Sequence, residues 1–405
     1  MRTLAATLRV SPATINLAYR ILRERGLIVT AGRRGTRISS RPPLLAVEPA
    51  PGVPEGVRDL SAGLPDPGLL PDIAGALRRI DLAGALSLSE HGRDDPRLLT
   101  AARQALSADG ISHEHLAVTS GAFDAIERVL GTRLRPGDRV LVEDPTYGAF
   151  RDLLTALGLI PVPVAVDDEG AQPAGVAAAL RAGASAALLV PRAQNPTGAA
   201  RSQQRTAQLR ALFARHPEVM LIEDDHAGAV AGAPHHPLGA TGAWAVVRSV
   251  SKTLHPDLRL AVVAGDATTI GRLAGRQALG PRWVSPILQA TVAEVLRDPA
   301  LPALLARAAD TYARRRAALI EALAANGIDA HGRSGLNVWV AVREELAAVN
   351  ALGAAGYAVA PGERFRFSAA PGVRITTAVL PEDEAQAVAR ALAVTERPVR
   401  RRAAY

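Results

Sequence analysis

Ser249-Val250-Ser251-Lys252-Thr253-Leu254-His255-Pro256 contains the one lysine of a 405-residue chain whose Lys and Arg residues number 47. Arginine replaces lysine freely as a surface charge, but a guanidinium stays protonated in proteins and cannot condense with an aldehyde, whereas a desolvated ε-amine can. Lys252 is therefore a candidate for covalent carbonyl chemistry. The plain alternative is a surface lysine retained by chance, and the surrounding sequence has to decide between the two. From about residue 58 onward, apolar runs bounded by turn residues alternate with Ala/Leu/Arg-rich helical stretches, and strands are predicted near 116–119, 139–143, 186–190, 219–223, 245–248 and 260–264. Such alternation predicts an α/β fold with a mostly parallel sheet covered by helices on both faces. An open sheet of this type binds its ligand at the carboxyl ends of its strands, and the Lys252 segment follows one of them.

Other candidate groups fall at strand ends too. Thr119-Ser120-Gly121-Ala122 turns into a helix whose free N–H groups and positive dipole end suit a phosphate, although any strand-to-helix turn looks similar. Glu143-Asp144-Pro145-Thr146-Tyr147 ends a strand with one of five tyrosines, able to stack on a flat ring or simply to cap the sheet. Asn195-Pro196-Thr197-Gly198 is a turn by composition whose Asn can donate to a phenolic oxygen. Leu221-Ile222-Glu223-Asp224-Asp225-His226 runs an apolar strand into three acids, which are costly to bury without a cationic partner. A pyridinium N–H is such a partner, and an aspartate that holds its proton keeps the ring an electron sink. Arg259 lies close enough along the chain to pair with a phosphate that Ser249 and Ser251 also reach.

Composition sets the outer limits. The chain is long enough for two or three domains, and 48% hydrophobic residues argue for a large core rather than disorder. It has no cysteine, so disulfides and thiolate metal sites are excluded. With neither a long uncharged apolar run nor a signal-peptide core, the expected location is the cytoplasm, away from membranes. No metal is expected: His235-His236 sits in a proline-flanked loop without further ligands at suitable spacing.

The net charge of +8 is unevenly placed. Residues 1–43 carry nine arginines against one acid, Glu24, and so hold the whole excess. A basic module on a near-neutral body suggests a polyanionic partner, nucleic acid above all; a solvated arginine-rich face is the bland alternative. Leu4, Ala5 and Leu8 space out one helix face, Ser11 caps a second helix that opens at Pro12, and Ile15, Ala18, Tyr19 and Leu22 form its inward stripe. Two short apolar segments, 27–30 and 36–38, then flank a basic glycine-bearing tip, which reads as a wing. Ser11, Thr14, Asn16, Arg33 and Arg34 are the candidates for DNA contact. Residues 41–57 hold five prolines and form an expected interdomain linker; 58–395 is the body, and 396–405 a basic tail.

Residues 2 to about 40 resemble the winged helix-turn-helix of GntR-family regulators, in partial form: the helix that usually opens that domain would stand before Met1, so the expectation is either a true start upstream or a truncated module. The ordered series of strand-end motifs resembles fold-type I, aspartate-aminotransferase-like enzymes that use pyridoxal 5'-phosphate (PLP). Together the two halves resemble the MocR-type regulators. The resemblance implies that Lys252 forms the internal aldimine with PLP and that Asp224 pairs with the pyridine nitrogen. It places Asn195 and His226 beside the ring hydroxyl, Tyr147 on the ring, and Gly121, Ala122, Ser249, Ser251 and Arg259 around the phosphate. Arg374 in "PGVRITTAV" matches the arginine that grips a substrate carboxylate; an ordinary strand arginine is the alternative. The resemblance also implies a homodimer. His226 stands where tyrosine is usual, so the ring-hydroxyl contact is expected to titrate nearer neutrality. Ser89 and Asp94 replace a tyrosine and a glycine of the family's segment that reaches the partner's cofactor, and Phe123 replaces a polar residue. The expected function is a PLP-binding transcription regulator that senses PLP or an amino compound; the alternative is an active aminotransferase with a vestigial DNA-binding remnant.

Overall fold

The computed structural model describes residues 2–24, 27–30, 35–38, 52–90, 94–239 and 242–396. Its centre is an eight-stranded sheet in the spatial order His115–Thr119, Ala261–Gly265, Trp244–Ser249, Met220–Asp225, Ala186–Leu189, Arg139–Asp144, Ile160–Asp167 and Gly170–Ala171. The inner strands pair in parallel, and Ala261–Gly265 runs antiparallel to both of its neighbours. Met220–Asp225 and Ala186–Leu189 are buried at every position, as expected for parallel strands with helices on both faces. Aliphatic residues such as Ile126, Val142, Leu188 and Ile222 pack one face, while Leu141, Leu189, Leu221 and Phe213 pack the other.

All six expected strands are present. Two further strands of this sheet, Ile160–Asp167 and Gly170–Ala171, are not among those expected, and the first carries Pro161 and Pro163, residues that argue against a strand. Ile160–Asp167 pairs on one side with Arg139–Asp144, and only its last two residues meet Gly170–Ala171. Along the rest of that free edge an imino nitrogen costs no ladder bond.

Chain direction gathers the site. The parallel strands end at Thr119, Asp144, Leu189, Asp225 and Ser249 on one edge of the sheet. The antiparallel strand begins at Ala261 on that same edge, which brings Arg259 there from the opposite direction. Acidic and hydroxyl caps start several of the covering helices: Asp95 accepts from Arg97 N, Ser202 from Arg205 N and Asp266 from Thr269 N.

A smaller antiparallel sheet, Ala330–His331, Asn337–Ala341, Gly372–Thr376 and Ala360–Pro361, packs with helices Leu301–Ala325, Glu345–Ala354 and Ala385–Glu396 around a second core. Arg58–Asp59 pairs in parallel with Tyr357–Ala358 in a separate two-stranded sheet.

At the N-terminus, helices Arg2–Leu8 and Pro12–Glu24 precede an antiparallel pair, Ile28–Thr30 with Thr36–Ile38. The second helix opens at Pro12, and Thr14 N donates to Ser11 Oγ at 3.1 Å. Two inward assignments fail: Leu8 is 56% exposed, and Ala18 is exposed. Ala5 and Ile15, expected in the same stripes, are buried. Helical spacing marks a face but not what covers it. Arg33, Arg34 and residues 41–51 and 397–405 lie outside the described residues. No described helix is long and apolar enough to cross a membrane.

Candidate functional site

At the carboxyl edge of the large sheet lies a cavity of about 330 Å³. Every residue expected at the body's site lines it or sits on its rim: Lys252, Asp224, Asn195, His226, Tyr147, Ala122, Ser249, Ser251, Arg259 and Arg374 line it directly. Gly121 is the N-cap of helix Ala122–Arg133 with φ +96°, and a Cβ on it would come 3.4 Å from Arg259 Nη2. The helix N-terminus and the guanidinium therefore face the same volume, a suitable arrangement for a phosphate dianion. Ser249 Oγ donates to Ser251 Oγ at 3.0 Å and accepts from Ser251 N, so the hydroxyls are preset beside them. Arg259 itself adopts a left-handed backbone, φ +43°.

The three acids of the 221–226 strand have different fates. Glu223 ion-pairs with Arg201 and accepts from Leu238 N, with His235 nearby. Burial raises its pKa, but Arg201 and His235 outweigh this and leave it at about 2. Asp225 accepts from Arg192 and Arg248, each at 2.9 Å. These cations and His235 overcome its burial and hold it well below the usual carboxylate range. Asp224 alone has no protein cation. Its Oδ1 is buried without a hydrogen-bond partner, and burial together with the neighbouring Asp225 raises its pKa to about 7. Two of the three acids are already neutralised, and Asp224, the one that the resemblance pairs with the pyridine nitrogen, is left for a ligand. The neutralising arginines, Arg192, Arg201 and Arg248, carried no sequence signal, since they come from separate turns and strands.

Lys252 Nζ donates to the carbonyl of Gly63 at 2.6 Å. Burial, followed by the charges of Arg374 and Arg259, lowers its pKa to about 8, which makes a neutral amine accessible near physiological pH. Arg374, on strand Gly372–Thr376, donates to Asn195 Oδ1 at 3.0 Å and to the Ser61 carbonyl. Its guanidinium carbon lies 4.8 Å from the centre of the Phe365 ring, and its Nε is buried without a partner. With Oδ1 engaged, Asn195 keeps its amide N–H groups for the cavity. Tyr147 meets Phe123 edge-on at 5.6 Å, and Phe123 stacks on Phe150 at 5.3 Å, an aromatic wall in a chain with few aromatics.

Two expectations need correction. His226 does not titrate nearer neutrality: its Nε2 bonds the Ala193 carbonyl at 2.9 Å, and burial with the Lys252 charge lowers its pKa to about 4. Because a carbonyl only accepts, Nε2 carries the proton and Nδ1 the lone pair. His235 is not without partners either. It lies with Asp109 and Asp225, their ligand-type atoms within 4.8 Å of one another, but Arg192 and Arg248 hold both carboxylates, so the cluster is an ion-pair network. A second unforeseen carboxyl is Glu143, held by Gln194; burial raises its pKa to about 8. In the N-terminal helices, Ser11, Thr14 and Asn16 are exposed on the second helix and its cap, and the Ser11 hydroxyl also bonds Thr14 Oγ1 at 2.8 Å.

The residues present fit PLP. A helix N-terminus with Arg259 and two serines suits the phosphate, an unpartnered buried carboxylate suits the ring nitrogen, and an amine of lowered pKa suits the aldehyde. This is the site of a PLP-dependent enzyme fold. Residues 55–392 match the family Aminotransferase class I and II, to which the chain belongs. It is 40% identical over 96% of its length, and 91% of the relative's, to the vitamin B6 salvage pathway transcriptional repressor PtsJ of Salmonella typhimurium. It is 30% identical, with the same coverages, to the HTH-type transcriptional regulator TauR of Rhodobacter capsulatus. These matches along nearly the whole chain place it among the MocR-type, aminotransferase-like regulators. The fold is shared with LysN, an α-aminoadipate aminotransferase of Thermus thermophilus solved with a phosphopyridoxyl-leucine adduct: TM-score 0.73, 22% identity, covering 84% of this chain and 92% of that one.

Proposed function

We propose that the chain is a PLP-binding transcription regulator: residues 1–40 bind DNA, 41–57 link, and 58–395 form a sensor for PLP or an amino compound, with 396–405 a basic tail. The observation that carries the cofactor assignment is Asp224, a buried carboxylate with an unpartnered oxygen in the cavity that holds the chain's only lysine. In this reading Lys252 bonds the aldehyde and Asp224 holds the ring-nitrogen proton. Tyr147 covers the ring, Asn195 donates to the ring oxygen, and His226 lies beside it. Gly121, Ala122, Ser249, Ser251 and Arg259 bind the phosphate, and Arg374 binds a carboxylate. When bound, the cofactor supplies an electron sink; this chain's residues orient it and exclude water. Ser11, Thr14, Asn16, Arg33 and Arg34 are the proposed DNA contacts. The name of the Salmonella relative, a repressor in vitamin B6 salvage, supports PLP itself as the sensed molecule.

A ligand shifts DNA binding only if it binds two arrangements of the protein with different affinity, and a homodimer with two DNA-binding modules is the assembly we propose. The competing reading, a working aminotransferase, draws on Arg374, whose partnerless Nε leaves it capacity for a substrate carboxylate. Purified protein with PLP should absorb in the visible, and Lys252→Ala should abolish that band without unfolding the chain; a colourless wild type refutes the cofactor assignment. A gel shift on the chain's own upstream DNA, read beside conversion of added amino acids, separates regulator from enzyme. Full turnover with no shift at any salt refutes the regulator.

A further inference from the structure

Gly63, the acceptor of the Lys252 amine, belongs to the short segment that follows strand Arg58–Asp59, at the start of the body. Main-chain bonds tie the segment to its neighbours: Leu60 N donates to Ala358 O at 2.8 Å, and Thr376 N, on the smaller sheet, to Leu60 O at 2.8 Å. Gly63 N donates to Thr376 Oγ1 at 3.0 Å, and the Ser61 carbonyl accepts from Arg374. Gly63 has φ +66°, and a Cβ there would stand 3.1 Å from the Arg374 guanidinium nitrogens, so a glycine is fitted to this position. On its other side the segment has Lys252, 189 residues away in sequence. The residue proposed to bond the cofactor is thus also a tether of the stretch through which the N-terminal helices join the body.

One nitrogen cannot serve both ends. In condensing with an aldehyde, the amine gives up two hydrogens, which leave with the carbonyl oxygen as water, and the nitrogen becomes doubly bonded to carbon. It then carries at most one proton, in a plane set by the cofactor. A guanidinium differs: Arg374 has five N–H donors and can hold a carboxylate while keeping Asn195 and Ser61. We infer that residues 60–63 report the state of Lys252: covalent capture of an aldehyde withdraws the donor from the buried Gly63 carbonyl, loosens this segment, and so passes the signal to the linker and the N-terminal module. The inference rests on the function proposed above, because it takes Lys252 as the cofactor lysine and the N-terminal module as the DNA reader. It adds the route between them.

Hydrogen exchange in the full-length protein tests it, with PLP as the ligand and visible absorbance as proof of loading. Peptides spanning residues 58–64 should exchange about tenfold faster after loading, the scale of losing one hydrogen bond to a charged donor. Two variants separate the tether from general effects of ligand. Lys252→Met keeps the bulk but has no donor, so it should exchange at the fast rate with or without PLP. Lys252→Arg keeps a donor but cannot condense, so it should stay at the slow rate with or without PLP. Affinity for the upstream DNA should sort in the same way, Lys252→Met with the loaded wild type and Lys252→Arg with the cofactor-free wild type. Unchanged or slower exchange in verified loaded protein, or Lys252→Met exchanging like cofactor-free wild type, overturns the inference. Exchange that sorts while DNA affinity does not overturns the link to the N-terminal module. If no form binds DNA at any salt, it is the regulator reading that fails, and the exchange pattern alone decides whether residues 60–63 follow Lys252.

Discussion

Replacing Asp224 by asparagine should change the stability of the cofactor-free protein and its affinity for PLP in opposite directions. Asp224 is 5% exposed, has a partnerless Oδ1 and lies beside a second carboxylate. Its pKa rises from 3.8 to about 7, so the folded state binds the proton more tightly than the unfolded chain does. Stability therefore falls as pH rises from about 4 to about 7, and the full penalty is present above that range. A shift of about 3 units corresponds to about 4 kcal/mol as an upper bound, and about 1–2 kcal/mol remains at pH 5. Asp224→Asn removes the charge. Urea unfolding of the cofactor-free variant should show a gain of about 2–4 kcal/mol over wild type at pH 8, shrinking on acidification. Loading reverses the order, because a pyridinium loses its buried partner: PLP affinity, followed by visible absorbance, should weaken about 100-fold. A cofactor-free variant less stable than wild type at pH 8, or one that binds PLP as tightly, refutes the assignment of this carboxylate to the ring nitrogen.

Arg201→Met should cost about 3–5 kcal/mol, because it leaves the fully buried Glu223 without its cation. With a folded pKa of about 2, the contribution of Glu223 is present above pH 4.5 and lost as pH falls towards 2, so the gap between variant and wild type in urea unfolding should close on acidification. His226 should stay neutral from pH 5 to 8; a proton NMR titration that finds its imidazole midpoint near 6.5 rules out the buried, Ala193-bonded arrangement. Gly148→Ala would place a Cβ 2.0 Å from the Arg364 carbonyl oxygen, a backbone atom with little freedom to move. It should destabilise by about 1–3 kcal/mol and weaken PLP binding through the adjacent Tyr147, measurable by thermal unfolding and absorbance; a neutral effect on both contradicts the packing of that loop.

Much of the candidate site was legible because its residues sit at the ends of strands and line one cavity. Apolar runs predicted to stop near 119, 143, 190, 223 and 248 announce where side chains leave the sheet, and an α/β topology puts those ends on one edge. What resisted reading came from elsewhere. Arg192, Arg201 and Arg248 are three arginines in an arginine-rich chain, and nothing local marks them as the counter-ions of a buried acidic strand end. Pro161 and Pro163 hid a strand, because proline is excluded from paired edges but not from a free one. Leu8 and Ala18 have helical spacing, yet periodicity does not say which face finds a partner.

From sequence alone came the candidates: a solitary amine, an acidic strand end and a phosphate-suited turn are marked by residue type and order, and the arginine near the C-terminus by family resemblance. The tertiary structure decided the charge states and the couplings. Asp224 is left for a ligand because its neighbours on the same strand are neutralised by distant arginines, and burial alone could not have told the three acids apart. Lys252 meets Gly63 because the smaller sheet holds the start of the body against the large one. Both results depend on electrostatics and hydrogen bonds between residues far apart in the chain, which act over a few ångströms and are fixed only when the fold closes.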